Sequence, residues 1–138
     1  MEVADRLHST AIHLLRLVRK QDVTSGEGPA RLSALSVLVF GGPKTLKELA
    51  AAEQVKPPTM SRIVAGLVRS ALVNVSSDPK DSRRMNIRAT VKGTKLLQKA
   101  RQMRISELAS LLESLTADEL RSLSYAVDLI QKTLRRQS

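Results

Sequence analysis

His8 and His13 are the only histidines in the chain, and it has no cysteine. Five residues apart, the two imidazoles do not share a helix face as an i, i+4 metal pair does, so no metal site is expected. Both lie on the first helical segment, far from any G-x-S-x-G turn, which leaves no nucleophile with a base beside it. Gly41-Gly42-Pro43-Lys44 lacks the glycine-lysine-serine/threonine order that cradles a phosphate. Paired carboxylates are thin as well. Asp78 and Asp81 share a loop with Arg83 and Arg84, and the expected use of Asp81 is to hold an arginine by a charge-assisted bond. The sequence therefore predicts neither an enzyme nor a cofactor. Its chemistry is cationic.

The formal net charge is +10, and its position is more telling than its size. Residues 44–104 hold 14 Lys and Arg against 4 Asp and Glu, whereas the segments on either side nearly cancel. A surplus confined to one stretch marks a polyanion-binding surface rather than a merely basic protein. One Tyr and one Phe give little for bases to stack on, which argues against single-stranded RNA or DNA as the main partner.

Within that stretch, two helices and two strands are expected to position the cations. Thr45-x-x-Glu48 is a capping box, expected to satisfy two free backbone donors reciprocally. Leu46, Leu49, Ala50 and Ala52 follow as a short apolar stripe. Pro57-Pro58 suits the first turn of a second helix. On a wheel, Met60, Ile63, Val64, Leu67 and Ala71 face a core with Val68 at the edge, while Pro58, Ser61, Arg62, Ala65 and Arg69 fall opposite. A face of small residues and arginines suits the floor of a major groove. Val73-Asn74-Val75 and Ile87 to Val91 alternate as half-buried strands do, and the long connection between them reads as a wing.

This series resembles the winged helix-turn-helix of MarR-type transcriptional regulators, through TLKELA, PPTMSRIVAGL and DPKDSRRMNIRATVKG. The last run is similar to the family's D-x-R wing followed by a T-x-x-G helix entry. The fold class implied is mainly α with a small two-stranded β wing, a winged helix-turn-helix with dimerising terminal helices. Residues 1–138 would form a single MarR-like domain, with the winged lobe at 30–91 and the helical dimerisation region at 1–22 and 92–138. The resemblance implies a homodimeric repressor that reads a palindromic operator in double-stranded DNA and is released by a small aromatic acid. Arg62 is the expected base reader, with Pro58, Thr59, Ser61 and Arg69 beside it. Lys44 and Lys56 suit phosphates, Arg83 the minor groove, and Arg84 or Arg88 the neighbouring backbone, with Asp81 orienting the wing arginine. His13, Arg16 and Phe40 fall near the junction where the family holds its effector.

Helical spacing also organises the flanks. Val3, Leu7, Ala11, Leu14, Leu15 and Val18 predict a first amphipathic helix, which the polar loop 22–29 ends. Arg31 to Phe40 is apolar enough for a buried strand or a buried helix, and only the resemblance favours the helix. A long helix is expected from Lys92 to Leu115, basic in its first half. A second capping box, Thr116-x-x-Glu119, opens a last amphipathic helix with Leu120, Leu123, Val127, Ile130 and Leu134 on one stripe. No apolar run reaches 18 residues and no signal peptide is visible, so a cytoplasmic protein without a membrane partner is expected.

Two positions depart from the family pattern, and a third is locally unfavourable. Gln54 and Ala71 stand where glycines usually end the two central helices, so either those ends avoid a positive φ or strain of about 1 kcal/mol is tolerated. Gly66, inside the second helix, costs a further ~1 kcal/mol relative to alanine. Two rival readings compete with the regulator. A sequence-tolerant architectural DNA-binding protein could carry the same charge, and so could a basic module for an acidic protein or membrane surface, although the wing argues against the second.

Overall fold

A computed structural model describes residues 1–22 and 26–137. They fall into two compact units, Met1–Arg104 and Ile105–Ser138. The first unit opens on α1 (Glu2–Asp22), with Glu2 and Asp5 in its first turn and Arg19 and Lys20 in its last, each sign placed against the helix dipole. The expected polar loop follows, but residues 23–25 of it lie outside the described residues.

Pro29 starts α2 (Pro29–Gly41) at a first-turn position, where its missing N–H leaves no bond unmade. The ambiguous apolar run is thus a helix, and Leu32, Ala34, Leu35 and Leu38 bury one face of it. After Gly42, at φ 79°, the two residues of β1 (Lys44–Thr45) lead into α3 (Leu46–Ala52) and α4 (Pro57–Arg69). The wing strands are β2 (Val73–Ser77) and β3 (Met85–Ala89). Pairing is antiparallel in the order β1-β3-β2, with Val75 opposite Ile87 and Lys44 opposite Ile87 on the other side. The expected two-stranded wing therefore rests on a third strand. Two residues are too few to show alternation, which is why the pattern did not reveal it.

Leu35, Leu49, Met60, Leu67, Leu72 and Ile87 are fully buried, so α2, α3, α4 and the sheet share one core. Ile63 packs against it, but Ala71 lies beyond α4 and is exposed, and Val68 also faces outward. Leu97 and Ala100 bring the first turns of α5 (Val91–Leu112) into the buried set.

The second unit holds the end of α5 and α6 (Ala117–Arg135). Its capping box is complete, because Thr116 accepts from the Glu119 N–H and the Glu119 carboxylate accepts from the Thr116 N–H at 2.8 Å. No residue of α6 is buried. Leu120, Leu123, Val127, Ile130 and Leu134 lie exposed at helical spacing. No helix among the described residues is long and apolar enough to cross a membrane.

Candidate nucleic-acid interface

The presentation of α4 begins with the turn before it. Gln54 has φ 55°, its N–H donates to the Ala51 carbonyl at 3.1 Å, and the Val55 N–H donates to the Ala50 carbonyl at 3.0 Å. These bonds make a Schellman end in which a non-glycine holds the left-handed position. The same motif ends α4, where Ala71 has φ 58° and donates to Val68 at 2.9 Å, while Leu72 donates to Leu67 at 2.9 Å. Leu67 and Leu72 are both buried, which supplies the apolar contact that accompanies this motif. Strain at both positions is therefore tolerated, and the core holds the helix ends that cause it.

On the face of α4 opposite Met60, Val64 and Leu67, the residues Pro58, Ser61, Arg62, Ala65 and Arg69 are all exposed, and Thr59 is exposed as well. Lys56 is the N-cap residue and is exposed at the helix start. The positive end of the helix dipole also points there. Since Pro57 and Pro58 carry no N–H, few main-chain donors remain for a phosphate at that end.

The wing tip is ordered by its aspartates. Asp78 Oδ1 accepts from the Lys80 N–H at 2.8 Å and Asp81 Oδ1 from the Arg83 N–H at 3.0 Å. The Arg84 N–H donates to the Asp81 carbonyl, and the Asp78 N–H to the Arg84 carbonyl. Asp81 thus differs from expectation: it fixes the main chain of Arg83 rather than its guanidinium. Arg83 is exposed, and so is Arg88 on β3. Arg84 lies 3.7 Å from the Glu48 carboxylate and so ties the wing to α3. That carboxylate also accepts the Thr45 hydroxyl proton at 3.0 Å, while Thr45 Oγ1 accepts from the Glu48 N–H. The first capping box is therefore only half the expected one, because Glu48 meets the side chain of Thr45 and not its backbone donor.

Lys44 is part-buried in β1 and donates to the Gly41 carbonyl at 3.1 Å. The candidate effector residues are not gathered into one place. Arg16 lines a shallow groove of α1 with His8, Ile12, Leu15 and Arg19, whereas His13 is not among its walls. Phe40 is 66% exposed at the end of α2. Among the described residues no group of three or more His, Asp or Glu could hold a metal ion.

One residue beside α4 escaped the sequence reading. Arg31 of α2 lies against Gly66, where a Cβ would collide with its guanidinium. The only signal was the unfavourable glycine itself.

The sequence model of the MarR family matches residues 29–85. An uncharacterized HTH-type transcriptional regulator of Mycobacterium leprae is 32% identical over 128 residues, 93% of this chain and 90% of its own. Among solved structures, a MarR family protein from Bacillus stearothermophilus superposes with a TM-score of 0.86 at 22% identity, covering 97% of this chain and 94% of that one. A mutant of Staphylococcus aureus MepR bound to an oligodeoxyribonucleotide gives a TM-score of 0.73 at 19% identity, covering 96% and 97%. With a winged helix-turn-helix that leaves its arginine-bearing face open and a relative matched over nearly its whole length, the chain belongs to the MarR family of DNA-binding transcriptional regulators.

Proposed function

We propose that this regulator is a homodimeric repressor acting in the cytoplasm, which reads a palindromic operator through α4 and the wing of each protomer. The observation that carries the reading is the exposed face of α4, where Ser61, Arg62, Ala65 and Arg69 lie opposite a buried apolar face. Arginine at such a position can take a guanine by two parallel hydrogen bonds, which is the commonest specific major-groove contact. Arg69, Lys56, Arg83 and Arg88 would neutralise phosphates or enter the minor groove. A two-fold dimer would place its recognition helices about 34–36 Å apart, one turn of the duplex. The uncovered stripes of α1 and α6 support the dimer, since an exposed apolar helix face gains from a second copy. The DNA-bound MepR relative supports the partner.

A small aromatic acid would release the regulator from its operator. Arg16 and Arg19 beside Ile12 and Leu15 offer a cation next to an apolar wall, the chemistry such an acid needs. Selection of bound fragments from genomic DNA tests the whole reading. One palindromic motif is the expected result, and recovery without any shared motif would turn the assignment to the sequence-tolerant architectural protein.

A further inference from the structure

We infer that Arg31 is a positioning residue for the recognition helix, seated on Gly66 and held there by Glu27. The inference rests on the DNA-reading role of α4. Arg31 is the only charged residue in the thirteen of α2, a helix otherwise given over to the core. Its Nη1 donates to Glu27 Oε2 at 3.1 Å, and the Glu27 side chain is only 10% exposed. A carboxylate so covered needs a partner, and a guanidinium offers a planar fork that stays charged. Any side chain at residue 66 would meet the plane of that fork. Glycine there is unfavourable for a helix, so the close approach explains what propensity does not.

Gly66 follows Arg62 by four residues, so the guanidinium presses α4 one turn from the side chain expected to read a base. Elsewhere α4 is seated by apolar contacts such as Met60 and Leu67, and the guanidinium against Gly66 adds a contact on a different side of the helix. A small rotation would carry Arg62 out of the bidentate geometry on which base discrimination depends.

The test compares Arg31→Ala, Gly66→Ala and the double variant, with Glu27→Gln as a fourth, on the operator recovered by genomic selection and on random duplex DNA at several salt concentrations. A wild-type protein that recovers no operator would fail the regulator reading itself, before any variant is made. Arg31→Ala and Gly66→Ala are each expected to weaken operator binding about tenfold, as coupled neighbours do. Random-DNA affinity and the salt slope should stay as in the wild type. Because a new methyl at residue 66 displaces only a flexible side chain, Gly66→Ala should keep the wild-type melting temperature or raise it. In the Arg31→Ala background it should cost no further affinity, and Glu27→Gln should reproduce part of the loss. A salt slope smaller by about one per protomer in Arg31→Ala would make Arg31 a phosphate contact and overturn the inference. Additive losses in the double variant, or operator binding unchanged in both single variants, would overturn it as well.

Discussion

The Thr90 hydroxyl donates to the carbonyl of Ala71 at 2.8 Å, tying the entry of α5 to the left-handed residue that ends α4. The same oxygen accepts from the Gly93 N–H at 3.0 Å, and the Thr90 N–H donates to the Leu72 carbonyl at 3.0 Å. Gly93 is required at this joint, because a Cβ there would collide with that carbonyl and crowd Leu35. The T-x-x-G run is thus a cap, a bridge and a close approach built from four residues. Thr90→Val should cost about 1–2 kcal/mol through the lost cap. Gly93→Ala should cost about 1–3 kcal/mol through overpacking. Urea unfolding of each variant measures both, and wild-type midpoints would show that the joint is not a source of stability.

Gln54→Gly and Ala71→Gly should have the opposite sign. Each removes a side chain from a positive φ, a relief of about 1–2 kcal/mol, against about 0.5–1 kcal/mol of added backbone entropy in the unfolded chain. A net gain of about 0.5–1 kcal/mol is expected at each site and should appear as a higher urea midpoint. A loss at either position would mean that the Gln54 amide or the Ala71 methyl makes a compensating contact.

What was legible in the sequence was whatever repeats locally. The stripes of α1, α4 and α6 follow the helical period, and Thr116 and Glu119 form their box as written. The run at Arg31 to Phe40 was ambiguous because β-branched residues in a buried segment fit either period. Contacts between distant residues were hidden. Nothing near Arg31 announces a glycine 35 residues on, and nothing near Arg84 announces Glu48. The role of Asp81 was half legible, since spacing places it beside Arg83 but cannot choose between a main-chain and a side-chain partner.

The bare stripe of α6 leads to a prediction about assembly. Leu120, Leu123, Val127, Ile130 and Leu134 are too exposed to be stabilised within their own unit. Deleting residues 120–138 should therefore leave a monomer or an aggregating chain, read by light scattering at matched concentrations. A truncated chain that remains a well-folded dimer would remove α6 from the interface.

Charge concentrated in residues 44–104 should make DNA binding steeply salt-dependent, because each neutralised phosphate releases condensed counterions. With roughly 6 to 10 phosphate contacts per dimer, the log-log slope should be about −5 to −9. Titrations between low and physiological salt measure it. An affinity nearly constant over that range would mean that the basic surplus faces something other than DNA.

Arg62 and Arg83 should separate by the kind of information each reads. Arg62 stands on the open face of α4, whereas Arg83 stands on a wing tip whose main chain is fixed by Asp81. Arg62→Ala should cost about 1–3 kcal/mol on the operator and relax discrimination at one position of each half-site. Arg83→Ala should weaken binding evenly across major-groove variants, since the minor groove reports chiefly width and A·T content. Asp81→Ala should fall on the same side as Arg83→Ala, because it loosens the turn that presents the arginine without touching α4. Its effect should be smaller, as the guanidinium is still present. Affinities of the three variants for the operator and its single-base changes, at one salt concentration, make the comparison. If Arg62→Ala lowers operator and random-DNA affinity by the same factor, Arg62 is a phosphate contact and base reading falls to Ser61 or Arg69.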